Sequence, residues 1–169
     1  RLTLRRVGTE RTRYIYDAAG QLTKMTLPDG AFLAYFYDAA HRLRRLEDRL
    51  GNHIVYTLDA MGNRTKEEVF DAGNNVVQRK NRVFDSLSRL ATERNAANTV
   101  ISAYTYDNNG NVKTRTQKYD AVTTNDALTS FDYDPLNRLS KITNALAGIT
   151  QYNYNGVDQL VSVTDPKNL

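Results

Sequence analysis

The sequence has no cysteine and no tryptophan, and only three prolines and two histidines in 169 residues. Without cysteine there can be no disulfide, no zinc-thiolate site and no thiol nucleophile. His41 and His53 stand near no serine or cysteine constellation, so neither a catalytic triad nor a metal site finds its partners. No stretch approaches the eighteen or more apolar residues of a membrane-spanning helix. The basic start, "RLTLRRVGTERTR", lacks the apolar segment of a signal peptide. Charge of one sign is missing too. The 23 Lys+Arg stand against 19 Asp+Glu, a net +4 spread along the chain, too small and too mixed to argue for nucleic acid. The nine glycines form no phosphate-cradling loop. With 40% hydrophobic residues and a mean hydropathy of −0.60, the chain is hydrophilic and modestly supplied for a core. Its length suits one ordinary domain or a slice of something longer.

What the sequence does have is tyrosine, eleven of them, and a repeat. Taking the acidic residue after an aromatic as the anchor gives Asp17, Asp38, Asp59, Asp85, Asp107 and Asp134, with Asn155 as a variant. The intervals are 21, 21, 26, 22, 27 and 21 residues, a period near 21 with two insertions. One residue before the anchor stand Tyr16, Tyr37, Leu58, Phe84, Tyr106, Tyr133 and Tyr154. Three before it stand Tyr14, Tyr35, Tyr56, Arg82, Tyr104, Phe131 and Tyr152. These two columns hold ten of the eleven tyrosines, and only Tyr119 falls outside.

Three residues past the anchor come Gly20, His41, Gly62, Ser88, Gly110, Asn137 and Asp158. Five past it come Leu22, Leu43, Arg64, Leu90, Val112, Leu139 and Leu160. The eighth place is less regular: Met25, Leu46, Glu67, Glu93, Arg115, Ile142 and Val163.

Tyr-x-Tyr alternation puts both rings on one face of a strand. Asp-x-x-Gly then makes a tight turn, whose carboxylate accepts a backbone N–H two residues on and whose fourth position takes positive φ. The residue five past the anchor lies on the returning strand and packs across the ladder against the tyrosines. A second turn closes each unit, at Pro28 to Gly30, Asp48 to Gly51, Asp71 to Asn75, Ala145 to Gly148 and Asp165 to Asn168. Strands spaced 8–12 residues apart with turn signals between them predict an all-β fold: about seven hairpins, roughly fourteen strands, in one twisted, curved antiparallel ribbon. Because the +5 and +8 columns have opposite parity, their numbering does not say which face is buried. Residues 1–169 read as a single segment of a larger repeat array, with sticky open edges that favour self-association.

These columns resemble the RHS or YD-repeat family. "RYIYDAAGQL", "AYFYDAAHRL", "AYTYDNNGNV" and "FDYDPLNRLSKIT" are similar to its Tyr-x-Tyr-Asp-x-x-Gly-x-Leu signature, and the resemblance covers nearly the whole chain. It departs at Leu58 and Arg64 in the third unit and at Arg82 and Ser88 in the fourth. The family includes bacterial polymorphic toxins, the B and C components of insecticidal toxin complexes, and teneurins. The resemblance implies a spiralling hairpin ribbon that builds a hollow shell, which in bacterial members encloses a C-terminal toxin domain. It also implies a secreted or cell-envelope protein, bacterial in origin, whose partners are the rest of its own shell and the enclosed toxin. The self-cleavage motif of the family, Asp-Pro-x-Gly-Leu, is matched only loosely by "DPLNRL", where Asn137 replaces the glycine.

The expected role is therefore structural, with no catalytic, metal or cofactor residues. The aspartates are explained by their turn slot, so paired general acids and bases are not called for, and the period does not fit the nine-residue calcium repeat. The tyrosine columns are expected to form a ladder in which each ring packs on the ring of the next repeat. The alternative is a carbohydrate- or cell-surface-binding module that uses the Tyr-rich face. The two insertions, near "EEVFDAGNNVVQRKN" and "TQKYDAVTTNDALTS", are expected to be longer hairpin tips that contact neighbours.

Overall fold

The structure, a computed structural model, describes residues 1–119 and 126–166. It is all-β: fifteen strands form one open antiparallel sheet in chain order, with no helix among the described residues. The chain divides into two units, residues 1–82 and 83–169.

In the first unit, β1 (Leu4–Val7), β2 (Glu10–Tyr16), β3 (Leu22–Thr26) and β4 (Phe32–Tyr37) are followed by β5 (Leu43–Asp48) and β6 (His53–Leu58). β7 (Arg64–Phe70) and β8 (Val76–Phe84) come next, the latter running past the division. The second unit holds β9 (Leu90–Arg94), β10 (Val100–Tyr106), β11 (Val112–Gln117) and β12 (Ala127–Tyr133). It ends with β13 (Leu139–Thr143), β14 (Ile149–Tyr154) and β15 (Leu160–Thr164). The extra strand relative to the sequence reading is β1, which pairs with β2 through a two-residue turn at Gly8.

Among the described residues one turn recurs twelve times, at both ends of the strands. The N–H of its fourth residue donates to the carbonyl of its first at 2.9–3.2 Å, and the N–H of the first donates to the carbonyl of the fifth at 2.8–3.0 Å. The fourth residue takes positive φ in every case, from 59° at Ala147 to 91° at Gly62. This is a type I turn followed by a left-handed residue. Its opening side chain explains why Asp and Asn dominate. Asp38 Oδ1, for example, accepts the N–H groups of Ala40 at 3.0 Å and Arg42 at 2.9 Å. Asn144 Oδ1 does the same for Leu146 at 2.9 Å and Gly148 at 2.8 Å. The turn at Asn95–Asn98 has no counterpart in the sequence reading.

The bulge in this turn settles the question of faces. Tyr14 lies opposite Met25 and Tyr16 opposite Leu22, so two residues on β2 face three on β3. Directly opposed residues share a face, which places the +5 and +8 columns together with both tyrosine columns. The same pairing recurs for Tyr35–Leu46 with Tyr37–Leu43, and for Phe131–Ile142 with Tyr133–Leu139. Numbering parity misleads here because the bulge absorbs one residue. The tyrosine face is half-buried, and Ile15 and Phe36 between the tyrosines are 54% and 46% exposed on the other face.

The first insertion is not a longer tip. The turn Asp71–Asn75 is the ordinary one, and the extra residues lengthen the strands instead: β7 has 7 and β8 has 9, against 6 each for β5 and β6. The middle of the second insertion, residues 120–125, and the end of the Asp165 turn lie outside the described residues.

Candidate functional site: the joins between repeats

The side chains singled out from the sequence do not converge on a cleft. They recur at each join. In the −1 column, the phenol of Tyr16 donates to the Leu2 carbonyl at 2.9 Å, and Tyr37 donates to Leu22 at 2.9 Å. In the second unit Tyr106 donates to Leu90 at 2.8 Å, Tyr133 to Val112 at 3.0 Å and Tyr154 to Leu139 at 3.0 Å. Four of these acceptors belong to the +5 column of the preceding repeat. The reason lies in the ladder: Leu22 precedes the β3–β4 register, which begins at Lys24, and Leu139 precedes the β13–β14 register, which begins at Lys141. A tyrosine from the next hairpin bonds each such carbonyl, satisfying a group that must find a partner.

The ring-on-ring ladder expected from the sequence is not what joins the repeats. Among the described residues the stacked aromatic pair is His53–Phe70, at 4.6 Å and 8°. The tyrosine rings instead receive guanidinium groups: Arg64 over Tyr56 at 4.1 Å, Arg89 over Tyr106 at 4.4 Å and Arg138 over Tyr154 at 4.6 Å. Spacing by about 4.8 Å between neighbouring strands separates successive tyrosine columns by two strands, too far for ring contact. An arginine can bridge that distance.

Arg64 sits five past the anchor, in the same hairpin as Tyr56. The other two, Arg89 and Arg138, sit four past it, in a column the sequence reading passed over: Gln21, Arg42, Asn63, Arg89, Asn111, Arg138 and Gln159. Every member is a polar hydrogen-bond donor, and that uniformity was the available signal. Arg138 shows the full pattern. Its Nε donates to Asp134 Oδ2 at 2.7 Å, its guanidinium covers Tyr154, and it reaches the Asn155 carbonyl at 3.4 Å and Asp158 at 2.7 Å. Arg42 likewise binds Asp38 at 2.9 Å and the Asp59 carbonyl at 3.1 Å. Where the column holds Asn, as in Asn63 and Asn111, the amide returns to its own anchor, Asp59 or Asp107, at 2.9 Å. Gln21 instead pairs with His41 of the next turn at 2.8 Å.

These bonds set the ionisation. The backbone N–H of Arg42 holds Asp38 below the usual carboxylate range, and the amides of Asn63 and Asn111 do the same for Asp59 and Asp107. Burial raises the phenols of Tyr37, Tyr106 and Tyr133, with the aspartates of the preceding turns adding to it.

The most buried of the described residues are Ser102 on β10, at 5% exposure, and Tyr56 at 6%, His53 at 7% and Glu68 at 8%, the last three on β6 and β7, where Leu58 supplies no phenol. Glu68 sits between Lys66 and Arg79, each at 2.7 Å, and its carboxyl is held below its ordinary range by the Lys66 ammonium and then by Arg79. Among the described residues no group of three His, Cys, Asp or Glu is arranged to hold a metal ion.

A family model described as RHS Repeat matches residues 2–31, 37–74 and 133–168, more than half of the chain. Among solved structures, the chain is similar to the Photorhabdus luminescens Tc holotoxin pore at 15% identity and a TM-score of 0.61, covering 90% of this chain and 10% of that one. It is similar to TcdB2-TccC3 without its hypervariable C-terminal region at 13% identity and a TM-score of 0.62, covering 92% and 10%. The chain thus spans about a tenth of each of these two structures. No curated protein matches it.

Proposed function

The chain belongs to the RHS-repeat family, and on that premise we propose that it is a length of wall in a larger protein shell that encloses a toxin or effector polypeptide for delivery. Residues 1–169 are one segment of a longer array of hairpins anchored at positions 17, 38, 59, 85, 107, 134 and 155. The observation that carries this reading is the repeated join. The Tyr-x-Tyr, Asp, Gly and Leu columns are spent on turns, cross-strand pairs and phenol-to-carbonyl bonds from one hairpin to the next. A sheet stitched in this way has little freedom to open between strands, which is what containment requires.

The role is mechanical, not enzymatic, and needs no cofactor. Its partners are the remainder of the shell and the enclosed polypeptide, without nucleic acid and without a membrane span. The setting is bacterial, secreted or at the cell envelope. The Tyr-rich face serves poorly as a glycan platform along its length, because the −1 phenols are already engaged.

The test is protection in the full-length protein. The polypeptide downstream of the array should resist a protease dose that degrades the same polypeptide made alone, and Phe at Tyr37, Tyr106, Tyr133 and Tyr154 together should make it sensitive. Equal digestion of the enclosed and free polypeptide would refute containment.

A further inference from the structure

The net charge of +4 turns out to be local and not spread along the chain. Residues 1–13 hold five of the 23 Lys+Arg and one of the 19 Asp+Glu, which leaves 18 of each to cancel over the remaining residues. The sheet then sorts these arginines by face. Arg6 lies directly opposite Arg11, and Leu4 opposite Arg13, so Arg6, Arg11 and Arg13 share the face turned away from the tyrosines. Arg5, opposite Thr12, is on the tyrosine face, and so is Glu10, opposite Val7. Glu10 is the only acidic residue of β1–β4. Arg42, Arg79, Arg89 and Arg138 each hold a carboxylate; Arg6, Arg11 and Arg13 hold none. They are exposed, and their guanidinium groups bond no described residue. Like charges set directly opposite one another destabilise a ladder.

Arg11 and Arg13 also line a groove of about 350 Å³ with Thr9, Thr26, Leu27 and Pro28, within the range of small-molecule sites. Thr26 stands opposite Arg13, and neither threonine hydroxyl has a described partner. Opposed β-carbons lie about 4.5–5.5 Å apart and alternate residues of one strand about 7 Å, so three guanidinium forks can meet on one anion. A carboxylate, with a single charge, leaves part of that cluster uncompensated. A phosphoryl group brings about two charges and three acceptor oxygens, which the fork matches. The patch is short. The next cation on this face, Lys24, caps the Phe32 ring at 3.9 Å, and Arg45 beyond it is paired with Glu47. No basic track continues along which a nucleic-acid backbone would run. We propose that Arg6, Arg11 and Arg13 bind a phosphate monoester or diphosphate, with Thr9 and Thr26 meeting its oxygens and Leu27 and Pro28 its organic portion. Two sources carry that chemistry. One is a soluble phosphate; the other is a lipid headgroup, toward which Leu4 and Ile15, 42% and 54% exposed on the same face, would turn. The site is independent of the shell reading, which is built on the opposite face.

The experiment is titration of the whole chain with inorganic pyrophosphate, and with succinate as a dicarboxylate comparison, followed by amide NMR and calorimetry. Saturable shifts are expected at residues 6–13 and 26–28, with succinate about tenfold weaker or worse. R6Q, R11Q and R13Q should each weaken pyrophosphate about tenfold. R115Q makes the same charge change at an exposed arginine of the second unit and should leave the affinity within about twofold. The three variants relieve a like-charged face, so each should unfold at or above the parent's midpoint. Sedimentation with vesicles then identifies the source. Retention by an equal mixture of phosphatidylcholine and phosphatidic acid, but not by phosphatidylcholine alone, with release by pyrophosphate, assigns the site to a lipid headgroup. Pyrophosphate binding without such retention assigns it to a soluble phosphate. The proposal is overturned if neither pyrophosphate nor the acidic vesicles bind saturably, if succinate equals pyrophosphate, or if R115Q weakens binding as much as R11Q. It is overturned too if a single-stranded oligonucleotide binds and pyrophosphate does not displace it.

Discussion

The two units build the same turn from different residues. In the first, the turns of the described chain open with Asp17, Asp38, Asp48, Asp59 and Asp71, with Leu27 the exception, and they mostly close their positive-φ position with glycine. In the second, three of six open with Asn95, Asn144 and Asn155, and five place Ser88, Asn98, Asn137, Ala147 or Asp158 where φ is positive, leaving Gly110 as the lone glycine. The first unit therefore draws on carboxylates and relaxed backbone. The second draws on neutral amides and tolerates strained backbone. The geometry is nearly identical, which teaches that the bulged turn is set by the hairpin it closes, and that side chains tune its stability and not its form.

Acid should separate the units most. Asp38, Asp48, Asp59, Asp71 and Glu68 in the first unit are held below their ordinary pKa. Among the described residues of the second only Asp85, Asp107 and Asp134 are, the last against an opposing push from burial, by the Arg138 N–H and guanidinium. A depressed carboxylate adds stability that is complete above its unfolded pKa, about 3.9 for Asp, and that disappears as pH falls through the lower folded value. Hydrogen exchange between pH 5 and pH 2 should therefore show residues 1–82 losing protection first. Simultaneous loss across both halves would mean the carboxylates are not what separates them.

Next in size is Tyr56. With 6% exposure and the Arg64 guanidinium at 4.1 Å, Tyr56→Ala should cost about 3 kcal/mol, the scale of buried aromatic truncations. Tyr152, in the same column of the second unit and half-buried, should cost less than half of that. Denaturant unfolding measures both. Equal costs would show that the packing around Leu58 and Arg64 is not a compensation for the missing phenol.

Smaller again are the phenol joins. Tyr37→Phe, Tyr106→Phe and Tyr133→Phe each remove one hydrogen bond to a carbonyl and should each cost about 1 kcal/mol, in both units alike. The raised pKa of these three phenols gives the opposite pH sign to the aspartates: their stabilisation is intact below the ordinary tyrosine value of about 10 and is lost as pH rises above it. The triple variant should lose part of the alkaline unfolding step of the parent. An unchanged step would place that transition elsewhere.

Much of this fold was legible from residue periodicity. The alternation in "YIY" and "YFY" and the Asp-x-x-Gly spacing were enough to predict antiparallel hairpins, and the strands lie where those patterns put them. What escaped the reading had physical causes. The shared face of the +5 and +8 columns escaped because the bulge at each turn absorbs one residue, so numbering parity no longer follows the sheet face. β1 was missed because "RRVGTER" carries charge on both strands of its hairpin. The Asn95 turn was missed because its fourth residue is Asn98 and not glycine. The arginine bridges were missed because a column alternating between Arg, Asn and Gln was not recognised as one chemical role. The Glu68–Arg79 pair could not be anticipated, since it depends on a lateral register between β7 and β8, whereas Lys66 lies two residues along the same strand.

The backbone strain itself offers the finest comparison. Ala147 holds φ at 59°, a left-handed conformation that costs a residue with a β-carbon about 1–2 kcal/mol. Glycine pays no such strain but loses more chain entropy on folding, about 0.5–1 kcal/mol. Ala147→Gly should therefore stabilise by a net of about 0.5–1 kcal/mol, with Ser88→Gly, at φ 61°, giving a similar gain. Asn74→Gly in the first unit and Asn137→Gly in the second, at 64° and 63°, should change little, because asparagine already tolerates that region. Gly110→Ala, where an added methyl would meet nothing within 4 Å, isolates the backbone cost from any clash and should destabilise by the same amount that Ala147→Gly gains. Thermal unfolding of this set decides the matter: if Ala147→Gly and Gly110→Ala do not move the midpoint in opposite directions, side-chain identity at the fourth position is not where the second unit holds its strain.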